Sequence, residues 1–570
     1  MGDEITARDK RTITGGESVV QSLRKESIRD IFYLSGSCIL PVLDGLYDSS
    51  DIRCIGTRHE QSAAHMADAY ARVSGSPGVC LVHNGPGLTN TVTGIATSSL
   101  AHSPVVLISG APMTRHLTRN SIQEIDQIGI LKTLVKWSGR VTSVDRIPEF
   151  IHHGFRIATT GRKGPVHVDI PRDILLAVVE EEEITSKRGS SEATFAGDPH
   201  LIEQSVQLIA NSRRPMIIAG GGVLWSNATD DLVSLAEFLS APMATSYGHL
   251  DAVPSSHPLA VGQLGRDGSN GAKEIARNTD LILAIGTRLA HFTTYYSHDY
   301  IPKTAKIIQV EIEPSELGRN FPIDIGILGD ARKVIREILN QCKKLYVGPP
   351  NNPDRLQWAT KAKATWRKQM EQRGLSDEIP IKPQRVLKEV RKVADRDAII
   401  TLDDGSACGF AYHMLELFSP RTFVSPLDLA SIGGGYPSGL GAKIARPEKQ
   451  VISICGDGGF SMSVHEIATA VQYRIAVVAL ILNNSCWGSE KAYQKHYYRE
   501  RYIGSDLLQV NFAEVAKSFG AYGERVVKPD ELAPAISRAL KLNEPAVIDV
   551  VVDPEELSPP ARTDAISQLT

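Results

Sequence analysis

Short apolar runs alternate with helical patterns of hydrophobic spacing along most of the 570-residue chain. Within residues 13–179, strand-like runs at 78–83, 104–109 and 165–170 accompany a helical pattern at 88–101. Strands that alternate with helices of about 10–15 residues indicate βαβ units and a parallel sheet. The pattern therefore predicts a doubly wound α/β block in the first third of the chain.

The same alternation returns twice more, and two segments separate the blocks. A polar stretch at 180–197 and a run rich in Pro and Asn at 348–353 are both typical of linkers. We therefore predict an α/β protein with three doubly wound parallel-sheet domains, at residues 1–180, 198–347 and 354–570.

Composition and charge exclude several classes of protein and partner. Hydrophobic residues are 42% and charged residues 22% of the chain, and the net charge of −3 predicts neither nucleic-acid binding nor attraction to an anionic membrane. The longest apolar runs fall far short of the roughly 20 residues that span a bilayer. The charged N-terminus lacks a signal-peptide core, and seven scattered cysteines without a CxxC pair indicate reduced thiols. We therefore expect a cytoplasmic protein.

Two predicted strands of the last block end in residues that can bind a metal. One ends in Gly456-Asp457-Gly458-Gly459 and the next in Asn483-Asn484; between them, Ser463 and Glu466 have the spacing of a capping box. Parallel strands joined by a helix place both ends at one sheet edge, where the carboxylate of Asp457 and the amide oxygen of Asn484 converge. Hard oxygen ligands suit Mg²⁺, and the glycines let backbone N–H groups approach a diphosphate. The alternative is an ordinary strand-to-helix turn and an ordinary loop.

This arrangement resembles the Gly-Asp-Gly…Asn-Asn motif of thiamine-diphosphate enzymes. Asn484 follows Asp457 by 27 residues, which is the spacing of that motif. The resemblance implies that thiamine diphosphate and Mg²⁺ are the cofactors. It implies metal binding by the side chains of Asp457 and Asn484 and by the main-chain carbonyl of Cys486. The adjoining residues are expected to contact the cofactor: Gly456, Gly458, Gly459, Trp487 and Gly488.

A second match begins at Glu60, in Thr57-Arg58-His59-Glu60-Gln61 and the small-residue helix pattern that follows. It resembles the family segment whose glutamate hydrogen-bonds the aminopyrimidine ring and so promotes loss of the thiazolium C2 proton. Glu60 is therefore predicted to be catalytic and to contact the cofactor. The alternative is a surface carboxylate at a helix start. A zinc site is excluded because the histidines at 59 and 65 lack HExxH spacing.

Three more segments resemble cofactor-binding parts of the same family. One is a Gly-Pro-Gly turn that opens a helix; another is a Gly-rich loop with a large apolar residue that wedges between the cofactor rings; the third follows a strand and contacts the diphosphate. For Ile432, the wedge candidate, an ordinary core isoleucine is the alternative. The predicted contacts are Gly85, Pro86 and Asn90 in the first segment, Ile432 and Gly434 in the second, and Gly405 and Ser406 in the third.

These matches, in order along the chain, resemble the acetolactate synthase and oxalyl-CoA decarboxylase branch of thiamine-diphosphate enzymes. The resemblance implies a pyrimidine-binding first domain, a middle α/β domain and a diphosphate-binding last domain. In that family the counterparts of Glu60 and Asp457 meet across a subunit interface. A homodimer is therefore the expected minimum, and a homotetramer is common among relatives.

The substrate is predicted from fewer residues. The stretch 286–292 lacks the usual flavin contact of acetolactate synthases, so FAD is not expected; CoA, ADP or no nucleotide stay open for the middle domain. Gln123 lies in a segment, 122–127, that resembles the pocket loop of the branch, and is predicted to be catalytic. Glu490, three residues after Trp487, resembles 2-hydroxyacyl-CoA lyases and sulfoacetaldehyde acetyltransferases; runs at 257–272 and 305–330 resemble the latter.

The presence of Glu490 decides which of the predicted functions we rank first. A carboxylate beside the reacting carbon can take and return a substrate proton, which cleavage of a 2-hydroxyacyl thioester requires. Reversible cleavage of a short 2-hydroxyacyl-CoA to formyl-CoA and a carbonyl compound is therefore the first prediction. Sulfoacetaldehyde acetyltransferase is second and acetolactate synthesis third; retention of Glu60, Asp457 and Asn484 argues against a non-catalytic scaffold. The alternative for Glu490 is a surface ion pair with Lys491 or Lys495.

Overall fold

The computed structural model describes residues 12–181, 194–346 and 352–558. The chain forms two compact units, Met1–Glu192 and Ala193–Thr570. Most of the linker predicted at 180–197, and most of the boundary predicted at 348–353, lie outside the described residues. The limits 1–180, 198–347 and 354–570 therefore stay predictions.

The first unit contains one six-stranded sheet, in the order β3-β2-β4-β5-β7-β6, in which every neighbouring pair is parallel. A separate antiparallel pair joins β1 to β8. The strands are β1 (Thr12–Thr14), β2 (Asp30–Tyr33), β3 (Arg53–Gly56), β4 (Gly78–Val82), β5 (Val105–Ala111), β6 (Ser138–Arg140), β7 (Val166–Pro171) and β8 (Val178–Glu180). The helices are α1 (Gly15–Lys25), α2 (Leu40–Tyr47), α3 (Glu60–Ser74), α4 (Pro86–Leu100), α5 (Gln127–Leu131), α6 (Ile147–Thr159) and α7 (Arg172–Leu176).

The second unit contains two more six-stranded parallel sheets. The sheet nearer the N-terminus has the order β11-β10-β9-β12-β13-β14. Its strands are β9 (Pro215–Ala219), β10 (Met243–Thr245), β11 (Ala260–Gln263), β12 (Leu281–Ile285), β13 (Lys306–Glu311) and β14 (Ile325–Leu328). Its helices are α8 (Pro199–Asn211), α9 (Gly221–Trp225), α10 (Thr229–Leu239), α11 (Asn270–Arg277), α12 (His291–Thr294) and α13 (Ala331–Leu345), followed by the connecting helix α14 (Pro353–Arg373).

The last sheet has the order β16-β15-β17-β18-β20-β19. Its strands are β15 (Ile399–Leu402), β16 (Phe423–Val424), β17 (Val451–Gly456), β18 (Val478–Asn483), β19 (Tyr522–Val526) and β20 (Ala546–Val551). Its helices are α15 (Pro383–Val393), α16 (Ser406–Met414), α17 (Gly435–Ala445), α18 (Asp457–Ser461), α19 (Glu466–Tyr473), α20 (Gly488–Tyr497), α21 (Phe512–Ser518) and α22 (Leu532–Leu542). The prediction of three parallel-sheet α/β domains is thus confirmed in its architecture.

Each sheet has its own hydrophobic core, which explains the continuous apolar strands in the sequence. Strands of parallel sheets are covered on both faces, so they lack polar alternation. All positions of β12 are buried, and so are all positions of β4 and β18. Three separate clusters of buried side chains surround the three sheets.

Two local expectations need correction. Ser463 does not cap a helix, because α19 begins only at Glu466, with His465 at the N-cap position and no side-chain cap hydrogen bond. The apolar run at 475–482 predicts a strand from 475, but β18 begins at Val478, and residues 475–477 form neither helix nor strand. Within the described ranges, no helix combines the length and the apolar character needed to cross a bilayer.

Candidate functional site

The predicted metal ligands follow two paired strands of the last sheet. Strand β17 pairs in parallel with β18, with Gly456 opposite Leu482. Helix α18 begins at Asp457, directly after β17, and Asn484 directly follows β18. The two side chains therefore emerge at the same carboxyl edge, as the sequence predicts.

The side-chain amide of Asn484 links the other two predicted metal ligands. One of its terminal atoms lies 3.1 Å from Oδ1 of Asp457 and 3.0 Å from the main-chain oxygen of Cys486. If that atom is nitrogen, it donates to both oxygens; if it is oxygen, three acceptors face one another, and it receives a hydrogen bond of 3.3 Å from the Cys486 N–H. In the second orientation the three oxygens are placed to bind one cation together. The arrangement therefore fits a hard divalent ion.

The electrostatics of this edge agree with that fit. Burial raises the pKa of Asp457 to about 6, because a carboxylate loses hydration there. Among the described residues there is no group of three or more His, Cys, Asp or Glu side chains suited to a metal. The site instead offers one carboxylate, one amide and one carbonyl, a set typical of Mg²⁺ that also binds phosphate oxygens. Binding of Mg²⁺ by Asp457, Asn484 and Cys486 remains a proposal.

These ligands line a cavity of about 310 Å³, here called the strand-end cavity. Of the cofactor contacts predicted in the second unit, only Gly434 is missing from its described lining. Three acidic side chains line it, and no Lys, Arg or His does so within the described part of the chain. The residues are Pro383, Asp404, Gly405, Ser406, Ala407, Phe410, Ile432, Gly456, Asp457, Gly458, Gly459, Leu482, Asn484, Cys486, Trp487, Gly488, Ser489, Glu490 and Val552.

The acidic lining determines how this cavity can hold a diphosphate. Two of its carboxylates, Asp404 and Asp457, have pKa values raised by burial; Glu490 adds to the effect on Asp404, and Arg266 opposes it. An anion that enters without a cation meets like charge at short range. The acidic lining therefore favours a diphosphate that enters together with a cation, and backbone N–H groups at the helix starts can donate to it.

Close packing explains one glycine of this cavity, and backbone conformation explains another. A Cβ atom on Gly458 would lie 2.5 Å from the indole ring of Trp487, so the ring can lie this close to the turn only if residue 458 is glycine. Gly405 has a φ of +112°, a conformation that residues with a side chain rarely adopt. Both glycines therefore help to determine the shape of the cavity wall that faces a ligand.

Asp403 is a site residue that the sequence analysis missed. It is fully buried directly after β15, and its carboxylate accepts hydrogen bonds from the N–H groups of Gly433 (2.9 Å), Gly435 (3.1 Å) and Asp404 (2.9 Å). Burial raises its pKa to about 7, although the Gly433 and Gly435 N–H groups favour the charged form. Asp403 thus fixes the loop that carries Ile432 into the cavity. Its position at a strand end, like that of Asp457, was the available signal.

We expect Asp403→Ala to lower the free energy of unfolding by about 2–5 kcal/mol, because the buried N–H groups of Gly433 and Gly435 would lose their acceptor. Urea unfolding of the cofactor-free protein, followed by circular dichroism, measures this. Asp397→Ala, which changes an exposed carboxylate paired with Lys449, should change little. Equal stability of the two variants would contradict the role assigned to Asp403.

In the first unit, the structure brings Glu60 together with Asn90. Glu60 is the first residue of α3, and its side chain is only 7% exposed. Nδ2 of Asn90, on α4, donates to its Oε2 at 2.9 Å. Close packing of the two helices requires small residues, since a Cβ on Gly94 would lie 2.5 Å from that of Ala64. Glu60 is therefore an oriented, buried carboxylate and does not lie on the surface.

The other residues predicted in this unit lie around the turn before α4. Gly85 has a φ of +60°, and its N–H donates to Oε1 of Gln127 at 2.8 Å. Pro86 occupies the first position of α4, where a missing N–H costs nothing. Gln123 is exposed and packs against Gly85, whose Cβ would lie 2.9 Å from that of Gln123. The structure thus places Glu60, Gly85, Pro86, Asn90 and Gln123 in the first unit, and the remaining predicted residues in the second.

Glu490 does not form the surface ion pairs considered for it. Lys491 pairs with Asp506 at 3.1 Å, and Lys495 pairs with Glu555 at 3.1 Å. Glu490 instead lines the strand-end cavity, in the first turn of α20. A carboxylate therefore lines the same cavity as the predicted metal ligands, and its catalytic role remains a proposal.

Comparison with known proteins agrees with this arrangement. The chain matches the descriptions "Thiamine pyrophosphate enzyme, N-terminal TPP binding domain" at residues 13–130, "central domain" at 202–338 and "C-terminal TPP binding domain" at 403–550. It is 38% identical to the probable acetolactate synthase large subunit of Methanocaldococcus jannaschii over 564 residues, covering 96% of this chain and 93% of the relative.

Two further relatives cover the chain as fully. The sulfoacetaldehyde acetyltransferase of Alcaligenes xylosoxydans xylosoxydans is 33% identical over 597 residues, 99% of this chain and 98% of the relative. The acetolactate synthase isozyme 3 large subunit of Escherichia coli (strain K12) is 33% identical over 553 residues, 95% of this chain and 96% of the relative. The chain therefore belongs to the thiamine pyrophosphate enzyme family and is a thiamine-diphosphate-dependent enzyme.

Proposed function

We propose that this enzyme transfers a two-carbon acyl unit from sulfoacetaldehyde to phosphate, giving acetyl phosphate and sulfite. The observation that carries the proposal is Glu490, a carboxylate on the wall of the strand-end cavity with no role in the predicted metal site. Relatives named sulfoacetaldehyde acetyltransferase match nearly the whole chain. The resemblance of runs 257–272 and 305–330 to the same subgroup adds to this support.

The donor substrate explains why a carboxylate is needed. A 2-oxoacid loses CO₂, and that bond cleavage leaves no proton to remove. An aldehyde keeps a hydrogen on its carbonyl carbon, and that hydrogen must leave as a proton before the neighbouring C–S bond can break. Glu490 can accept this proton and return it to the methyl carbon of the product. Sulfite leaves with the C–S electron pair, so no external oxidant or reductant is needed.

The remaining predicted residues bind the cofactor and orient it. Thiamine diphosphate, when bound, supplies a carbanion that adds to the carbonyl carbon and a ring system that accepts the electron pair. We infer that Asp457, Asn484 and the carbonyl of Cys486 hold Mg²⁺ and thereby the diphosphate. Ile432 limits the shape of the bound cofactor, and Glu60 holds the proton of the aminopyrimidine ring. The minimum active unit that we propose is a homodimer, in the cytoplasm.

Two other reactions stay as candidates, each with its own support. Acetolactate synthesis from pyruvate is the function named for the relative that is 38% identical. Cleavage of a 2-hydroxyacyl-CoA, the first prediction from the sequence, uses the same proton argument for Glu490, but none of the relatives named above carries that activity. Nucleotide binding by the middle domain is also a proposal only, with CoA or ADP as the candidates and FAD disfavoured by residues 286–292.

A product assay separates the three reactions. The purified full chain, with thiamine diphosphate and Mg²⁺, receives sulfoacetaldehyde with phosphate, pyruvate alone, or 2-hydroxyisobutyryl-CoA. Acetyl phosphate and sulfite in equal amounts in the first arm alone support the proposal. Acetolactate or formyl-CoA as the dominant product would replace it by the corresponding alternative.

Glu490→Gln tests the carboxylate itself. We expect kcat with sulfoacetaldehyde to fall by about 10²–10⁴-fold, the usual contribution of a general base, with unchanged cofactor affinity. Glu514→Gln, which alters an exposed carboxylate paired with Lys517, is the matched control. Full activity of Glu490→Gln would show that the proton leaves by another route.

A further inference from the structure

The hydrogen bonds of His83 determine which of its ring nitrogens carries the proton. The main-chain N–H of Cys38 donates to Nδ1 of His83 at 3.2 Å. A backbone N–H can only donate, so Nδ1 is an acceptor and the neutral ring has its hydrogen on Nε2. Nε2 lies 2.6 Å from Oε1 of Gln123. His83 therefore donates to Gln123, and the amide of Gln123 must turn its oxygen towards the ring.

Neighbouring glycines hold the His83 side chain in place. A Cβ atom on Gly36 would lie 2.5 Å from Cβ of His83 and 2.8 Å from its Nδ1. A Cβ on Gly87 would lie 3.1 Å from Cβ of His83. Because these backbones approach the side chain so closely, the ring has little freedom to move away from Gln123. This close packing gives the short hydrogen bond a fixed direction.

The backbone of Gln123 is fixed by separate contacts. Its φ is +59°, a conformation that costs energy for a residue with a side chain. Its main-chain oxygen accepts from Nδ2 of Asn84 at 3.2 Å. The main-chain oxygen and Oε1 are thus both held, whereas the two N–H groups on Nε2 have no acceptor among the described residues. Gln123 thus presents an oriented pair of donors.

These donors belong to the same group of residues as Glu60. The position of Gly87 connects them: its Cβ would lie 3.1 Å from Cβ of His83 and 3.5 Å from Oε1 of Glu60. Gly87 therefore lies against the proposed cofactor carboxylate and also against His83, whose ring hydrogen-bonds the exposed amide of Gln123. An oriented N–H donor near the reacting atoms can stabilise an oxygen that gains negative charge during the reaction.

We propose that His83 is a positioning residue: its Nε2–H holds Oε1 of Gln123 and so fixes the orientation of the amide. The N–H groups of that amide then donate to the carbonyl oxygen of the donor substrate. The inference rests on the proposed function only in requiring a carbonyl substrate at this site, which sulfoacetaldehyde and pyruvate both provide. Gln123 is the residue that contacts the substrate oxygen. His83 acts through Gln123 and has no contact of its own with substrate.

A double-mutant cycle on the full holoenzyme tests this dependence. The variants are His83→Ala, Gln123→Ala and the double substitution, each assayed for kcat and KM with the substrate that the product assay identifies. We expect Gln123→Ala to lower kcat by about 10²-fold, as removal of an oxyanion donor does, and His83→Ala by less. The double variant should be no worse than Gln123→Ala, because interacting residues are not additive. Multiplicative losses would overturn the proposal.

Two further measurements separate positioning from simple support of the fold. His83→Gln can still place an N–H near Oε1 of Gln123, so it should recover most of the activity lost in His83→Ala. Thermal unfolding and thiamine-diphosphate affinity should equal those of the unaltered enzyme in His83→Ala and in the surface control His200→Ala. A loss of kcat that is matched by weaker cofactor binding, or an absence of rescue by His83→Gln, would contradict the proposal.

The cycle also remains informative if the proposed function is wrong. Turnover of pyruvate and not of sulfoacetaldehyde would reject the acetyltransferase assignment. The same four enzymes assayed with pyruvate would still show whether His83 acts through Gln123.

Discussion

Replacement of Glu60 by glutamine should lower kcat by about 10²–10⁴-fold and leave the fold intact. Asn90 donates to Oε2 of Glu60, so in Glu60→Gln the amide oxygen will stay with Asn90 and the amide nitrogen will take the place of Oε1. A donor would then stand where an acceptor is needed. The buried carboxylate proposed to hold the proton of the aminopyrimidine ring would be lost without a change in volume.

Steady-state kinetics measure this effect, and circular dichroism checks the fold. Glu149→Gln is the matched control, because Glu149 is a helical carboxylate of the same unit that is exposed and pairs with Arg146 at 2.7 Å. Such exposed pairs contribute little to stability. If Glu60→Gln turns over as fast as the control, Glu60 does not have the assigned role.

Asp457→Ala is expected to weaken thiamine-diphosphate binding in the presence of Mg²⁺ by more than about 100-fold. This loss is larger than the one expected for a residue that only hydrogen-bonds a metal ligand. The cavity has no basic side chain in its described lining, so the diphosphate depends on the metal for its charge balance. Because Asp457 is the only predicted carboxylate ligand, its loss should prevent the binding of Mg²⁺ and of the diphosphate together.

Trp487 provides a direct measurement of that binding. Its ring lies against Gly458 on the wall of the strand-end cavity, so its fluorescence should change when cofactor enters. Titration with thiamine diphosphate, with and without Mg²⁺, should show binding to the unaltered protein only when the ion is present. Asp397→Asn should bind normally. Metal-independent binding, or an unaffected Asp457→Ala variant, would contradict the proposed site.

The sequence was sufficient to predict those features that follow from the order of strands and helices along the chain. The alternation of apolar runs predicts parallel sheets, because a βαβ unit forces both strands to end at one edge. For that reason the adjacency of Asp457 and Asn484 could be predicted without a structure. The turn at 456–459 follows from the same rule, whereas Ile432 was predicted from the family resemblance alone; both line the same cavity.

Other features depend on contacts that no local pattern contains. Asp403 binds a loop 30 residues further along the chain, and a lone Asp after a strand does not reveal that. Ser463 has the right spacing for a cap, yet the chain continues as a turn until Glu466 and tertiary packing decides where the helix begins. The role of His83 required the positions of Cys38 and Gln123, which lie far from it in sequence.

The substrate is the least predictable part. Glu490 argues for a substrate that gives up a proton, but both an aldehyde and a 2-hydroxyacyl thioester do so. Relatives with two different names match nearly all of the chain. The shape of the strand-end cavity around Ser489 and Glu490 depends on side chains that the fold alone does not determine.

The amide of Asn484 also bears on ion selectivity. When its nitrogen faces Asp457 and Cys486, it makes two hydrogen bonds, at 3.1 and 3.0 Å. An ion must turn the amide over and replace these bonds, at a net cost of about 1 kcal/mol each, less the bond regained from the Cys486 N–H. Any ion that binds must offset this cost, and a divalent ion, which attracts oxygen ligands more strongly than Na⁺ or K⁺ does, offsets it more readily. The hydrogen bonds of the metal-free state thus oppose the retention of weakly attracted ions at this site.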